Sequence, residues 1–254
     1  MNKISAIIIA KNEQDLIRDC IDSLSFCDEI LLIDSGSKDK TKDIAESLGA
    51  VIYEINSNDF SEIRNYGLAN AKGDWILYID ADERISKDLR KEIEKEITNN
   101  KFGSYLLKRK NFYLGNNEWP YIEKMLRLFR KENITGWKGQ LHETPLVTGE
   151  TGILEGNLLH YTHRDLESMV NKTIAWSSIE AAERFKQNHP QMTWWRFPRV
   201  MVGAFLDSYI KQGGYKARTA GFIESTYQAF SIFITYAKLW ELQRMEEVKQ
   251  KSHV

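Results

Sequence analysis

Short, almost uniformly apolar runs alternate with amphipathic stretches over the first hundred residues. Residues 4–9 are apolar apart from Ser5. They lack the period-two alternation of a half-exposed strand, which predicts a buried parallel one. Residues 29–33, 51–55 and 75–79 repeat the pattern. Between them, residues 14–23 and 59–71 read as helices, as does a segment capped by Ser37 or Asp39 and running through Leu48. Gly49 and Gly73 follow two of these, where the chain must leave helical geometry. Residues 86–99 form a charged helix with Ser86 as its cap. Strand–helix alternation predicts a mostly parallel sheet between helices, an α/β fold.

In such sheets ligands bind beyond the carboxyl ends of the strands. Asn12 and Glu13, Asp34 to Ser37, and Asp80 to Asp82 follow three of the predicted strands, and all three clusters are polar. Residues 103–163 carry short β-like runs at 104–108, 125–129 and 153–161, an extension of the sheet that completes a cleft. From about residue 166 the pattern is helical, over 166–188, 192–211 and 222–248, punctuated by Gln187-Asn188-His189-Pro190 and Gly213-Gly214. The expected division is a catalytic domain over 1–165 and a helical C-terminal appendage over 166–254.

The segment 192–211 places Trp194, Trp195, Phe197, Val200, Met201, Phe205, Leu206, Tyr209 and Ile210 at helical spacing. Residues 194–218 hold Arg196, Arg199, Lys211, Lys216 and Arg218 against Asp207 alone. Two readings stand side by side. The aromatics pack on the rest of the protein or on a second subunit in a homo-oligomer, or they lie on anionic lipid at the inner face of the cytoplasmic membrane.

Composition narrows the class. With 42% hydrophobic and 28% charged residues the chain can bury a core. A formal net charge of −1 offers no global attraction for nucleic acid, so none is expected as a partner. Residues 101–131 carry eight Lys/Arg against Glu118 and Glu123, a local surplus that reads either as a phosphate-attracting patch or as a solvated face. Cys20 and Cys27 match no metal or redox spacing and read as ordinary core thiols. The N-terminus reads as a strand and not a signal peptide, and nowhere do about 18 apolar residues run together, so a cytoplasmic location is expected.

Asp80 and Asp82 sit at the end of a buried strand, spaced to hold a hard divalent cation, Mg²⁺ or Mn²⁺. The segment Gly73-Asp74-Trp75-Ile76-Leu77-Tyr78-Ile79-Asp80-Ala81-Asp82-Glu83 resembles the metal-site strand of glycosyltransferase family 2, whose members have the GT-A (nucleotide-diphospho-sugar transferase) fold. Residues 7–13, the segment Asp34-Ser35-Gly36-Ser37, and Arg64-Asn65 match that family's other motifs in order. Further on, Arg127-Leu128-Phe129-Arg130, Leu141-His142-Glu143, Leu158-Leu159-His160-Tyr161 and the closing Tyr236 to Glu241 resemble a branch acting on lipopolysaccharide core, the β-1,4-glucosyltransferases. The match is good over residues 1–165 and looser beyond.

The resemblance implies an inverting transferase moving a sugar from a nucleotide-sugar, a UDP-sugar, to a hydroxyl of an envelope glycan or glycolipid acceptor. Ala10, Asn12, Glu13, Asp34, Gly36, Ser37, Arg64, Asp80 and Ala81 would line the donor site. Asp34 would accept from the uracil imide, because an ionised carboxylate only accepts. Asp82, Asp80 and the late His160 would hold the cation, Glu143 would be the base, and Asp165 is the reserve base. Structural alternatives stand beside each role. Asp34 can cap a helix, Arg64 can make a surface ion pair, Glu143 can pair with Lys138 or Arg130, and His142 and His160 can be core histidines.

Three other readings compete. A nucleotidyltransferase would carry glycine after the first strand, where Ala10-Lys11-Asn12-Glu13 has none. A phosphatase using Asp-x-Asp would have Thr or Val where Arg84 stands. A catalytically silent nucleotide-sugar-binding or scaffold protein would not need Asp80, Asp82 and Glu143 together.

Overall fold

A computed structural model describes residues 2–139 and 143–252. The chain divides into two compact units. The first comprises Met1–Lys110 and Ile122–His160, and the second Asn111–Tyr121 and Tyr161–Val254.

In the first unit, β1 (Ile4–Ala10), α1 (Ile17–Ser23), β2 (Glu29–Asp34), α2 (Thr41–Ser47), β3 (Val51–Glu54), α3 (Phe60–Asn70) and β4 (Trp75–Asp80) follow the alternation read from the sequence. Strand β1 lies between β2 and β4, and all of β3, β2, β1 and β4 run parallel. The sheet continues through elements that come later in the chain. These are β5 (Glu83–Ile85), β6 (Ser104–Tyr113), β7 (Asn117–Arg130) and β10 (Thr151–Tyr161), and the full order is β3-β2-β1-β4-β7-β6-β10-β5. Strand β7 is antiparallel to β4, and β5 to β10.

The uniform hydrophobicity of β1 and β4 follows from burial on both faces. Ala6, Ile8, Leu77 and Ile79 point to one side, against Ile17, Cys20 and Ile21 of α1 and Leu89 and Ile93 of α4 (Lys87–Asn99). Ile7, Ile9, Ile76 and Tyr78 point to the other, against Ile63 of α3. Each fully buried large aliphatic side chain stabilises the fold by about 1.5–3 kcal/mol, so these strands are fixed from both sides. Helix α3 can lie this close because Gly67 has no side chain: a Cβ there would meet Ile7 Cγ2 at 2.6 Å.

The cap agrees with the sequence at α4, where Ser86 accepts from Leu89 N. At α3, Asp59, read as the first helical residue, is the cap and accepts from the Ser61 and Glu62 amides. At α2 neither Ser37 nor Asp39 is the cap residue. That position is Lys40, and Asp39 instead accepts from Thr41 N at 3.0 Å, closing a turn just before the helix. Cys20 is buried and Cys27 half-buried, both as free thiols, and burial raises both thiol pKa values.

A separate two-stranded sheet pairs β8 (Ile134–Lys138) with β9 (Thr144–Val147). Asn65 holds it, accepting from Trp137 N at 2.7 Å and donating to Trp137 O at 3.0 Å. Neither β5 nor β8–β9 was predicted: β5 and β9 have only three and four residues, and Thr135 and Gly136 interrupt the apolar run of β8.

In the second unit, α5 (Leu166–Lys186) and α6 (Arg196–Leu206) pack against α7 (Arg218–Ser252), and a π-helical turn over Asp207–Lys211 extends α6. Asp165, the reserve base, is the N-cap of α5 and accepts from Ser168 N at 2.7 Å in a capping box. No helix among the described residues is long and apolar enough to cross a membrane.

Candidate active site

The parallel strands bring the three polar clusters together. Ala10 is in register with Asp34, and Ile9 with Asp80, so the loops after β2, β1 and β4 leave the sheet side by side. The first two are stitched to each other. Asn12, in the left-handed region at φ 58°, donates through N to Ser37 Oγ at 2.9 Å and accepts at Oδ1 from Lys38 N at 2.8 Å. Glu13 N donates to Thr41 Oγ1 at 2.8 Å. Gly36 turns the second loop at φ 97°. The side chains of Asn12 and Ser37 thus tie the two loops to each other.

Asp34 is fully buried. Its Oδ2 accepts from the amides of Gly36 and Ser37 at 3.0 and 2.9 Å, while Oδ1, equally buried, has no hydrogen-bond partner among the described residues. An acceptor in that state costs free energy until a donor reaches it. Asp34 is therefore an Asx-turn residue on one oxygen and an unfilled acceptor on the other.

Asp80 sits between two arginines. Arg64 Nη2 donates to Oδ1 at 3.2 Å and Arg127 Nη2 to Oδ2 at 2.6 Å. Burial alone would raise its pKa, but the Arg127 and Arg64 charges outweigh it and hold the carboxyl well below the usual range. The pairs continue on both sides. Arg64 Nε donates to Glu143 Oε1 at 2.9 Å. Arg127 also reaches Glu83 Oε1 at 3.3 Å, Arg109 Nη1 reaches the same oxygen at 3.2 Å, and Arg109 bonds Glu123 beyond. Four acids and three arginines alternate from Glu143 to Glu123. Burial disfavours the arginine charges, yet Asp80 and Glu83 raise the pKa of Arg127, and Glu83 and Glu123 that of Arg109.

This arrangement corrects several expectations. Arg64 is only 3% exposed, so it makes no surface ion pair. Its guanidinium lies 4.8 Å from the Trp137 ring and 5.6 Å from Tyr78. Glu143 pairs with Arg64, not with Lys138 or Arg130. The positive surplus over 101–131 is divided: Arg109 and Arg127 are paired within the protein, Lys108 bonds Glu155 and Arg130 bonds Glu132, while Lys101, Lys124 and Lys131 are exposed, as on a solvated face. His142 lies outside the described residues, as do Gln140 and Leu141.

Asp80, Asp82 and His160 do not form one donor set. Among the described residues no group of three or more His, Cys, Asp or Glu side chains is arranged to hold a metal ion. Asp80 already has counterions in Arg64 and Arg127. Asp82 and His160 face one another, with Nε2 3.2 Å from Oδ2. Strand β10 pairs His160 with Glu83 of β5, which starts directly after Asp82. One carboxylate is the hard ligand of this pair and the imidazole a softer one, so a divalent cation held here would take its remaining ligands from phosphate oxygens or water.

Sequence reasoning assigned no role to Arg127, Glu83 or Arg109. Arg127 left one signal, a lone charge within Met125-Leu126-Arg127-Leu128-Phe129, where a strand buried on one side demands a partner. A cavity of about 530 Å³ lined by Lys72, Asp74, Trp75 and Arg130 lies at the opposite edge of the sheet and holds none of these side chains.

A parallel sheet with polar side chains gathered past three adjacent strand ends defines a ligand-binding α/β protein. Residues 5–155 match the family described as Glycosyl transferase family 2. The chain belongs to that family and is a glycosyltransferase, with the GT-A fold of its members. An uncharacterized glycosyltransferase of Rickettsia prowazekii is 30% identical over 258 residues, covering 95% of this chain and 88% of the relative. The lipopolysaccharide core biosynthesis glycosyltransferase LpsC of Rhizobium meliloti is 26% identical, over 94% of this chain and 92% of LpsC. Among solved structures, Staphylococcus aureus TarS 1–349 with UDP-GlcNAc aligns at a TM-score of 0.48 and 14% identity, over 96% of this chain and 92% of that one.

Proposed function

We propose that the protein is a cation-assisted, inverting glycosyltransferase that takes a UDP-sugar donor and glycosylates a hydroxyl of a lipopolysaccharide-core or related envelope glycan. The observation that carries the donor half is the buried Asp34 Oδ1 beside the β1 loop, which has no partner among the described residues. The uracil imide N–H is a donor of the kind that oxygen lacks. Ala10, Asn12, Glu13, Gly36 and Ser37 shape the pocket around it, and Ala81 joins Asp80 at its far side.

Asp82 and His160 are the residues assigned to a divalent cation, whose contribution is to neutralise charge on the leaving diphosphate. Arg64, whose buried Nη1 has no hydrogen-bond partner among the described residues, is the residue assigned to the same phosphates. Glu143 is the base in this reading. It takes the acceptor proton as the acceptor oxygen bonds to the anomeric carbon and the bond from that carbon to the diphosphate breaks on the opposite face. The acceptor class follows LpsC, alike along nearly its whole length. In this reading residues 1–165 form the catalytic domain and 166–254 its appendage.

A thermal-shift screen of UDP-, GDP- and ADP-sugars with and without Mn²⁺ tests the proposal. A ligand that binds only the native state raises its melting temperature. A UDP-sugar is expected to do so in wild type and not in Asp34→Ala. No stabilisation by any nucleotide-sugar would leave a silent scaffold as the better reading.

A further inference from the structure

Helix α6 buries none of its own residues completely, although most of them are apolar. Its inner side is accounted for. Phe197 packs on Phe233, with ring centroids 5.7 Å apart, and Phe205 and Tyr209 pack on Phe222 at 6.0 and 6.2 Å. Its outer side is not. Trp195, Val202, Leu206 and Ile210 form one exposed stripe along the helix and its π-helical extension, and Trp194 just before it is 82% exposed. An exposed apolar stripe of this kind, with the exposed Arg199 set between Trp195 and Val202, marks an interaction surface.

The charges around the stripe select the partner. Residues 194–218 contain five basic side chains and one acid, and that acid, Asp207, already accepts from Lys211 Nζ and Gln212 Nε2. Arg196 and Arg199 have no carboxylate partner among the described residues, and both line a cavity of about 380 Å³ together with His189 and Tyr236. The Arg196 guanidinium lies 5.3 Å from the Trp195 ring, so a charge and an aromatic body share one edge. A second copy of the chain docking through the same face would set two such basic clusters against each other. An anionic surface with an apolar interior satisfies both features.

We propose that this face docks on an anionic phospholipid bilayer. Helix α6 lies in the interfacial plane, the indoles and aliphatic stripe enter the acyl boundary, and a lipid phosphate occupies the cavity between Arg196 and Arg199. The inference rests on the second unit alone and is independent of the donor-site reading.

Co-sedimentation tests it, with vesicles of phosphatidylcholine mixed with phosphatidylglycerol and vesicles of phosphatidylcholine only. The wild type is expected to pellet with the mixed vesicles, to remain largely in solution with the neutral ones, and to be released by high salt. R196Q/R199Q is expected to bind the mixed vesicles about thirtyfold more weakly, from roughly fivefold for each basic side chain at an anionic surface, and R196E/R199E more weakly still. W194S/W195S is expected to lose binding with an unchanged far-ultraviolet spectrum and melting temperature. Should the tryptophan variant unfold, the arginine variants decide the question. Wild type that stays in solution with mixed vesicles overturns the proposal. So does R196E/R199E that binds like wild type, or a dimer that W194S/W195S converts to monomer while no form of the protein binds lipid.

Discussion

Arg64 Nε donates to Glu143 Oε1 at 2.9 Å, tying residues 79 positions apart. The same guanidinium reaches Asp80 on its other side, so one side chain sets the spacing between the proposed base and the strand end that precedes Asp82. Removing it leaves Asp80 to Arg127 and Glu143 without its ion-pair partner. Arg64→Met is expected to destabilise the fold by about 3 kcal/mol, the lower end for breaking a buried pair, seen as a lowered urea midpoint. Arg64→Lys keeps the charge but not the fork. It is expected to recover much of the stability while kcat stays low.

Glu143→Gln keeps the shape of the side chain and removes its ability to accept a proton. Its expected signature is a fall in kcat of about 10²–10⁴-fold with the donor-induced melting shift retained. Wild-type turnover in this variant would take the base role away from Glu143.

Asp82 and His160 share one contact, at 3.2 Å. Asp82→Asn and His160→Ala are each expected to abolish the additional stabilisation that Mn²⁺ gives to the UDP-bound protein, measured against each variant's own metal-free melting temperature. Asp80→Asn is expected instead to lower the metal-free melting temperature, because Asp80 balances two arginines. The reverse pattern would move the cation to Asp80.

The pH dependence of stability has a defined sign. Asp80 titrates below its ordinary value of 3.8 in the folded protein, through the two arginines. Its ionised form therefore contributes stability that is fully present above about pH 5 and is lost as pH falls through 3.8 toward the folded value. Wild type is expected to lose stability over that acid range. Asp80→Asn should start lower at neutral pH and show a shallower acid slope, measured by urea denaturation at a series of pH values.

Gly67 tests the packing of α3 on β1. Alanine is the better helix former by about 1 kcal/mol, yet its Cβ would stand 2.6 Å from Ile7 Cγ2. Overpacking of this kind costs about 1–3 kcal/mol, so Gly67→Ala is expected to lower the melting temperature or leave it unchanged. A clear rise would show that Ile7 has room to move.

The sequence by itself determined the parallel half of the sheet, because a strand buried on both faces cannot avoid looking apolar throughout. It also determined which polar residues stand at the strand ends, since a ligand edge is where an α/β chain can place them. Asp34, Asp80 and Asp82 were legible on that ground alone. The tertiary structure decided how those acids are used. Asp80 is held by Arg64 and Arg127, and Asp82 meets His160 only because β10 runs beside β5. The tryptophans of the C-terminal region looked the same in sequence whether buried or exposed, and only the packing of α6 on α7 separated Phe197 and Phe205 from Trp194 and Trp195. The reason is range. Burial of a strand or the inner face of a helix is written in neighbouring residues, whereas charge pairing depends on partners some 16 to 79 positions away, brought within 3.2 Å only by the fold.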